Sequence, residues 1–192
     1  NLFTVNMQSG KTSQLTHDLG GESVVKIEAN GDVIYSHKGQ LWKKNVNGTD
    51  AVQLTDVPDG LENVVFSPDG KYILFSKAVL LKTYHSPNKF EDLPKSNMFI
   101  YDDLEYRHWD TFNDGKFNQP FVATYDNGKI GEPIDLLGDQ PFYSPQAPFG
   151  GAEDFVWSPD SKSVLYVCKK KFGKEYATST NTDIYKYELA SK

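Results

Sequence analysis

Apolar positions along this chain recur at a spacing of two rather than 3.6, which predicts strands rather than helices. Runs such as NLFTVNM (1–7), DVIYSHK (32–38), QLWKKNVN (40–47), KYILFSK (71–77) and DIYKYELA (183–190) carry β-branched and aromatic residues in alternation or in brief apolar stretches. Gly, Pro, Asn and Asp punctuate them, as expected of strands joined by tight turns. The predicted class is all-β, with antiparallel neighbours.

Two phrases repeat. Phe66-Ser67-Pro68-Asp69-Gly70 precedes KYILFSK, and Trp157-Ser158-Pro159-Asp160-Ser161 precedes KSVLYV; Ala29-Asn30-Gly31-Asp32, before VIYSHK, is a degenerate third copy. Each joins an apolar run to an alternating run through a hairpin turn. The second phrase is Gln-Leu-Thr, in KTSQLT (11–16) and AVQLT (51–55). Aligning Leu15 with Leu54 gives a period of about 39 residues, the length of a four-stranded β-propeller blade.

On that template residues 1–17 supply the last two strands of a blade and 18–56 a complete blade. Residues 57–149 form a blade interrupted by an insertion at about 78–119, and 150–192 give three strands of another. About three blades leave strand edges unpaired, so the expectation is part of a larger propeller. The opening NLFTVNMQSG has no initiator Met and no signal peptide, and reads as a mature or excised segment.

Composition narrows the function classes. A hydrophobic content of 38% supports a real core, and a net charge of −6 argues against nucleic acid or an anionic membrane as partner. The short basic run 169–171 reads as a solvated strand end. Cys168 stands alone, which excludes an intrachain disulfide and a cysteine zinc site. Asn47-Gly48-Thr49 fits a glycosylation sequon, but Asn-Gly is first a hairpin-turn signal. No G-x-S-x-G, phosphate-binding loop or H-E-x-x-H occurs, and His17, His37, His85 and His108 are scattered singly. No metal or cofactor is expected, and a self-contained enzyme is disfavoured.

The densest titratable cluster, YDDLEYRHWD (101–110), lies inside the insertion. Pro94 and Ser96-Asn97 as helix-entry residues and Asn113-Asp114-Gly115 as a stop predict a helix over about 98–110. Asp103 and Arg107 would then be an i,i+4 ion pair. One reading is an amphipathic helix packed on the blade. The other is that Asp102, Asp103 or Glu105 faces a cavity and holds a cation such as a peptide ammonium, with Arg107 orienting the carboxylates.

FSPDGKYILFS and WSPDSKSVLYV resemble the propeller repeats of the prolyl oligopeptidase family of serine peptidases. LPKSNMFIYDDLEYRHWD, SPQAPFGGAEDFVWSPDS and GKEYATSTNTDIYKYEL together resemble its bacterial dipeptidyl-peptidase V and acylaminoacyl-peptidase branch. The resemblance implies a secreted or periplasmic enzyme with an N-terminal propeller and a C-terminal α/β-hydrolase domain, whose Ser-Asp-His triad lies outside these residues. It implies that the propeller covers the active site and that Glu105 first, then Asp103 and Asp102, bind the amino terminus of a peptide substrate, with Arg107 as organiser. A homodimer of the full-length protein stays open. The alternative is a stand-alone TolB-like binding propeller, which shares the repeat phrase.

Overall fold

A computed structural model describes residues 1–48, 50–86, 90–127 and 129–190. Among them the chain is all-β and antiparallel, with very little helix and no closed sheet. Strands β1 (Phe3–Val5) and β2 (Thr12–Gln14) form a hairpin. Strands β3 (Glu22–Ile27), β4 (Asp32–His37), β5 (Gln40–Asn45) and β6 (Ala51–Gln53) form a four-stranded sheet in chain order. Asn47-Gly48 lies in the link between β5 and β6, as the turn chemistry predicts, and Thr49 of the sequon lies outside the described residues.

A central sheet follows. It pairs β7 (Glu62–Phe66) with β8 (Tyr72–Leu80) and then, after an excursion carrying β9 (Arg107–His108) and β10 (Thr111–Phe112), with β11 (Lys116–Asp126). The short strands β12 (Lys129–Ile130) and β13 (Ile134–Asp135) both pair with β11. Last come β14 (Phe155–Trp157), β15 (Ser163–Cys168), helix α1 (Gly173–Thr178) and β16 (Asp183–Glu188), whose strands form a three-stranded sheet.

The repeated phrases have a hydrogen-bonding reason. In the first Ser-Pro-Asp turn, Ser67 Oγ donates to Asp69 Oδ1 at 2.7 Å while accepting from Tyr72 N at 3.0 Å, and Lys71 N donates to Asp69 Oδ1 at 3.1 Å. The second copy repeats each contact, from Ser158 Oγ to Asp160 Oδ1 at 2.7 Å, Ser163 N to Ser158 Oγ at 3.0 Å and Lys162 N to Asp160 Oδ1 at 3.1 Å. Serine and aspartate thereby satisfy the backbone donors a tight turn leaves over. In the Gln-Leu-Thr phrase, Gln14 Nε2 donates to Thr16 O and Gln53 Nε2 to Thr55 O, at 2.7 and 2.6 Å. The threonine hydroxyls accept from Leu2 N and Leu41 N, both at 2.8 Å, which ties each phrase to the preceding strand.

The core has two halves that share the central sheet. Ile73 and Phe75 of β8 pack with Ile34, Leu41, Leu61 and Ala123 toward the β3–β6 sheet. Leu74, between them, packs with Val122 and Leu137 against Phe155, Trp157, Val164, Tyr166 and Cys168 of the last sheet. Alternate residues of a strand face opposite ways, so a strand buried on both faces reads as a continuous apolar run. Burial pushes the Cys168 thiol up to about 11 and leaves it a packing residue. Trp157 Nε1 donates to Val65 O at 3.1 Å, and Asp69 N donates to Ser161 Oγ at 3.1 Å, so two polar contacts also bridge these sheets.

The expected helix over 98–110 is absent. Residue pairs run extended instead, with Ser86 N donating to Met98 O and Ile100 N to Tyr84 O, both at 2.8 Å. Arg107–His108 and Thr111–Phe112 make a hairpin around Trp109-Asp110. Aromatic residues are indifferent helix formers, and here the rings of Phe99, Tyr106 and Phe112 each pack against Tyr101. Asp103 Oδ1 also accepts from Leu104 N at 2.8 Å, a local bond that competes with helix. The Asp103–Arg107 ion pair falls with the helix. Arg107 instead lies over the Phe112 ring, 5.9 Å from its centroid.

Ser161 occupies the turn position that glycine holds at Gly70, and its φ of 60° lies in the left-handed region. Ser161→Ala should keep that strain and orphan the Asp69 N–H, lowering stability by about 1–3 kcal/mol. Ser161→Gly relieves the strain and should lose less. Thermal or denaturant unfolding checks the order, and equal stability of all three proteins would reject the bridge.

Candidate functional site

The excursion from 81 to 115 leaves and rejoins the central sheet at one neck. Leu81 N and Lys82 N both donate to Gly115 O, at 3.0 and 3.1 Å. At φ 88°, a Cβ on Gly115 would collide with Lys82 O, so only glycine fits this crossing. Asn113 organises the region beside it. Its Oδ1 accepts from Gly115 N at 2.8 Å, its backbone oxygen accepts from Tyr101 Oη at 2.7 Å, and its Nδ2 donates to Glu105 O and Tyr143 Oη, each at 3.4 Å.

Next to the neck is a cleft of about 200 Å³. Glu105, Arg107, His108 and Phe112 line one side, and Tyr143, Ala147, Pro148 and Tyr176 the other. The second wall comes from the loop SPQAPFGG and from α1. Gln146 stitches these together: its N donates to Asp154 Oδ2 at 2.8 Å, its Oε1 accepts from Lys169 N at 3.1 Å, and its Nε2 donates to Tyr176 Oη. Tyr176 Oη in turn donates to Ala147 O at 2.9 Å.

Of the four carboxylate-cluster residues singled out above, Glu105 and Arg107 line the cleft, whereas Asp102 and Asp103 are exposed and outside its lining. Asp103 rests against Gly173 at the start of α1, where a Cβ would strike its carboxylate. Arg107 makes no ion pair with Asp103 or Glu105.

Glu105 is half-buried, and among the described residues no donor reaches its carboxylate. Desolvation pushes its pKa up, against the opposing pull of Lys169 and His108. Lys169 is buried, 9% exposed, rather than a solvated strand end. Its ammonium donates to Tyr176 O at 3.1 Å and Ser179 O at 2.7 Å and sits 3.7 Å from the Tyr176 ring centroid. Those carbonyls end α1, where a cation is favoured. Burial pushes the Lys169 pKa down while Glu105 holds it up. Burial, joined by the Glu105 charge, raises the hydroxyl pKa of both Tyr143 and Tyr176, so both stay neutral. The cleft sets the Glu105 carboxylate among the rings of Phe112, Tyr143 and Tyr176, with Arg107, His108, Asp114 and Lys116 also on its lining, so it presents charges of both signs beside an aromatic surface.

Sequence reasoning missed Asn113, Tyr143, Gln146, Lys169 and Tyr176. All five come from segments distant in sequence from Glu105 or read as turns. The SPQAPFGG phrase was the available signal, since a Pro- and Gly-rich loop has few uses except to shape a surface.

No family model matches the chain. Over 99% of its length it is 36% identical to the dipeptidyl-peptidase 5 of Porphyromonas gingivalis, of which it covers 28%. Over 76% of its length it is 34% identical to the dipeptidyl-peptidase 5 of Porphyromonas endodontalis, covering 21% of that protein. In fold it is similar to the acylaminoacyl peptidase of Pyrococcus horikoshii, with a TM-score of 0.52 over 86% of this chain and 22% of that one, at 13% identity. The chain spans about a quarter of the length of the curated relatives it matches. It is a homologue of the dipeptidyl-peptidase 5 proteins, matched to one segment of them.

Proposed function

We propose that this chain is the propeller portion of a secreted or periplasmic serine exopeptidase, and that Glu105 receives the free amino terminus of the peptide substrate. The observation that carries this reading is the Glu105 carboxylate, half-buried in a cleft and without a donor among the described residues, in a homologue of dipeptidyl peptidases. An ammonium entering the cleft would supply the missing donors and offset the desolvation that burial imposes. Peptide backbone extends about 3.3–3.6 Å per residue, so an amine fixed here sets the second peptide bond about 7 Å away. That distance is a ruler for releasing dipeptides. Serine nucleophile, histidine and oxyanion donors belong to a hydrolase part outside these residues, and the propeller covers it. Asp102 and Asp103 stand outside the cleft and leave Glu105 as the ligand, with Lys169 and Tyr176 holding its surroundings in place.

The reading frame that contains this chain should continue into G-x-S-x-G and a later histidine within about 300 residues, a hydrolase-domain length. A continuation that only adds blades would favour the TolB-like binding propeller instead. In the full-length protein, Glu105→Gln should lower kcat/KM for free-amino dipeptide nitroanilides about 10- to 100-fold, the worth of a hydrogen bond to a charged group. An amino-blocked ester should keep its rate. Equal loss on both substrates would reject the role.

The same substitution has a stability signature. Because the folded state raises the Glu105 pKa, the stability tied to this group is present below the ordinary glutamate range, about 4.3, and is lost as pH rises through the raised value. Glu105→Gln should therefore raise Tm near neutral pH and leave it close to the parent in acid. A lower Tm in both conditions would make Glu105 a structural residue.

A further inference from the structure

Two large aromatic side chains stand in solvent at the lip of the Glu105 cleft. Trp109 is 70% exposed and Phe149 76% exposed, yet their rings meet edge to face with centroids 5.7 Å apart. Neither lines the cleft itself, and each is next in sequence to a residue that does. Trp109 follows His108, which lines the cleft on the excursion side, and Phe149 follows Pro148, which lines it on the loop side. Single exposed apolar residues are ordinary on protein surfaces, but two brought together from segments 40 positions apart in sequence form a surface. Trp109 is held with φ at 50°, a conformation that costs a bulky residue energy. His108 backs the indole, with ring centroids 4.7 Å apart.

The cleft below has Phe112, Pro148, Ala147, Tyr143 and Tyr176 on its walls together with Arg107, Asp114 and Lys116, and it holds Glu105, whose carboxylate meets no donor among the described residues. Its volume, about 200 Å³, is under the roughly 300–1,000 Å³ of sites that enclose drug-sized ligands. That volume is on the order of one amino-acid residue. An occupant matching this chemistry carries a cation for Glu105 and, next to it, an apolar side chain for the aromatic lip. The α-ammonium and side chain of one amino-terminal residue satisfy both.

We infer that Trp109 and Phe149 form a selectivity surface for the first residue of the substrate, favouring peptides whose amino-terminal side chain is aromatic or large and aliphatic. This rests on the amine-binding reading of Glu105. Complementary charge fixes the amino group, and desolvation of the indole and phenyl faces rewards an apolar side chain beside it. A small or acidic first residue gains nothing from the lip.

The test uses the full-length protein and two series of nitroanilides, X-Ala and X-Leu, with X as Phe, Leu, Gly or Glu. The expected ratio of kcat/KM for X = Phe over X = Gly is about tenfold or more, in the range hydrophobic pockets give. Trp109→Ala and Phe149→Ala should each move that ratio toward one. Both residues are exposed, so the variants should melt like the parent, and Trp109→Phe should restore most of the ratio. A ratio near one in the parent, or a ratio that either alanine variant leaves intact, overturns the inference. So does an equal loss on every X, which would mark the lip as a contact between parts of the protein. If the ratio fails while Glu105→Gln still abolishes the preference for free amines, the amine site stands and the lip falls. If Glu105→Gln spares free amines, the underlying reading falls and this inference with it.

Discussion

Ile73, Leu74 and Phe75 are consecutive in β8, and each is buried, though neighbours in a strand point in opposite directions. The central ladder must therefore be covered on both faces at once, by the β3–β6 sheet on one side and the β14–β16 sheet on the other. That requirement fixes much else. A slip of one residue between β8 and β11 would exchange the two faces and misfit both cores, so the ladder from Lys116↔Leu80 to Thr124↔Tyr72 has one register. A fixed register places the ends of both strands, and the ends of those strands launch the excursion that carries Glu105. The cleft depends on a packing constraint well away from it.

Within the cleft, charge and burial oppose each other. Loss of water pushes the Glu105 pKa above its ordinary value while Lys169 and His108 draw it down, and burial wins. Lys169 cannot act as a simple counter-ion because its ammonium is already committed to two carbonyls and a ring. The lysine fixes α1, hence Tyr176, and lends Glu105 a field without closing a salt bridge on it. A carboxylate left in that state retains its capacity to accept from something that arrives later.

The strands and turns were legible because their causes are local. Ser67 with Asp69, Ser158 with Asp160 and Gln53 with Thr55 bond within a few residues, so the phrase that specifies each turn can be read without knowing the fold. The excursion was misread for the opposite reason. Residues 98–110 contain helix-start and helix-stop residues, but their aromatic side chains find partners at Tyr84 and in the hairpin through Phe112, contacts that no local propensity contains. Glu105 could be named from its charged neighbourhood. Its isolation from Asp102 and Asp103 could not, since one carboxylate turns inward and two outward in an irregular bend rather than by helical spacing. Lys169 was hidden in a basic run, where only tertiary burial separates it from Lys170 and Lys171.

The neck at Gly115 has a consequence for how such a protein can change. Both strands of the excursion pass through one crossing, held by Gly115 O and the amides of Leu81 and Lys82, while the ladder beyond it is closed and self-sufficient. A length change distal to that crossing need not alter the ladder register and is felt instead where the excursion meets α1 and the 144–151 loop, as at Asp103 beside Gly173 and Trp109 beside Phe149. The sheets and the excursion can thus drift at different rates, one held by packing and the other free to change in length and side chains.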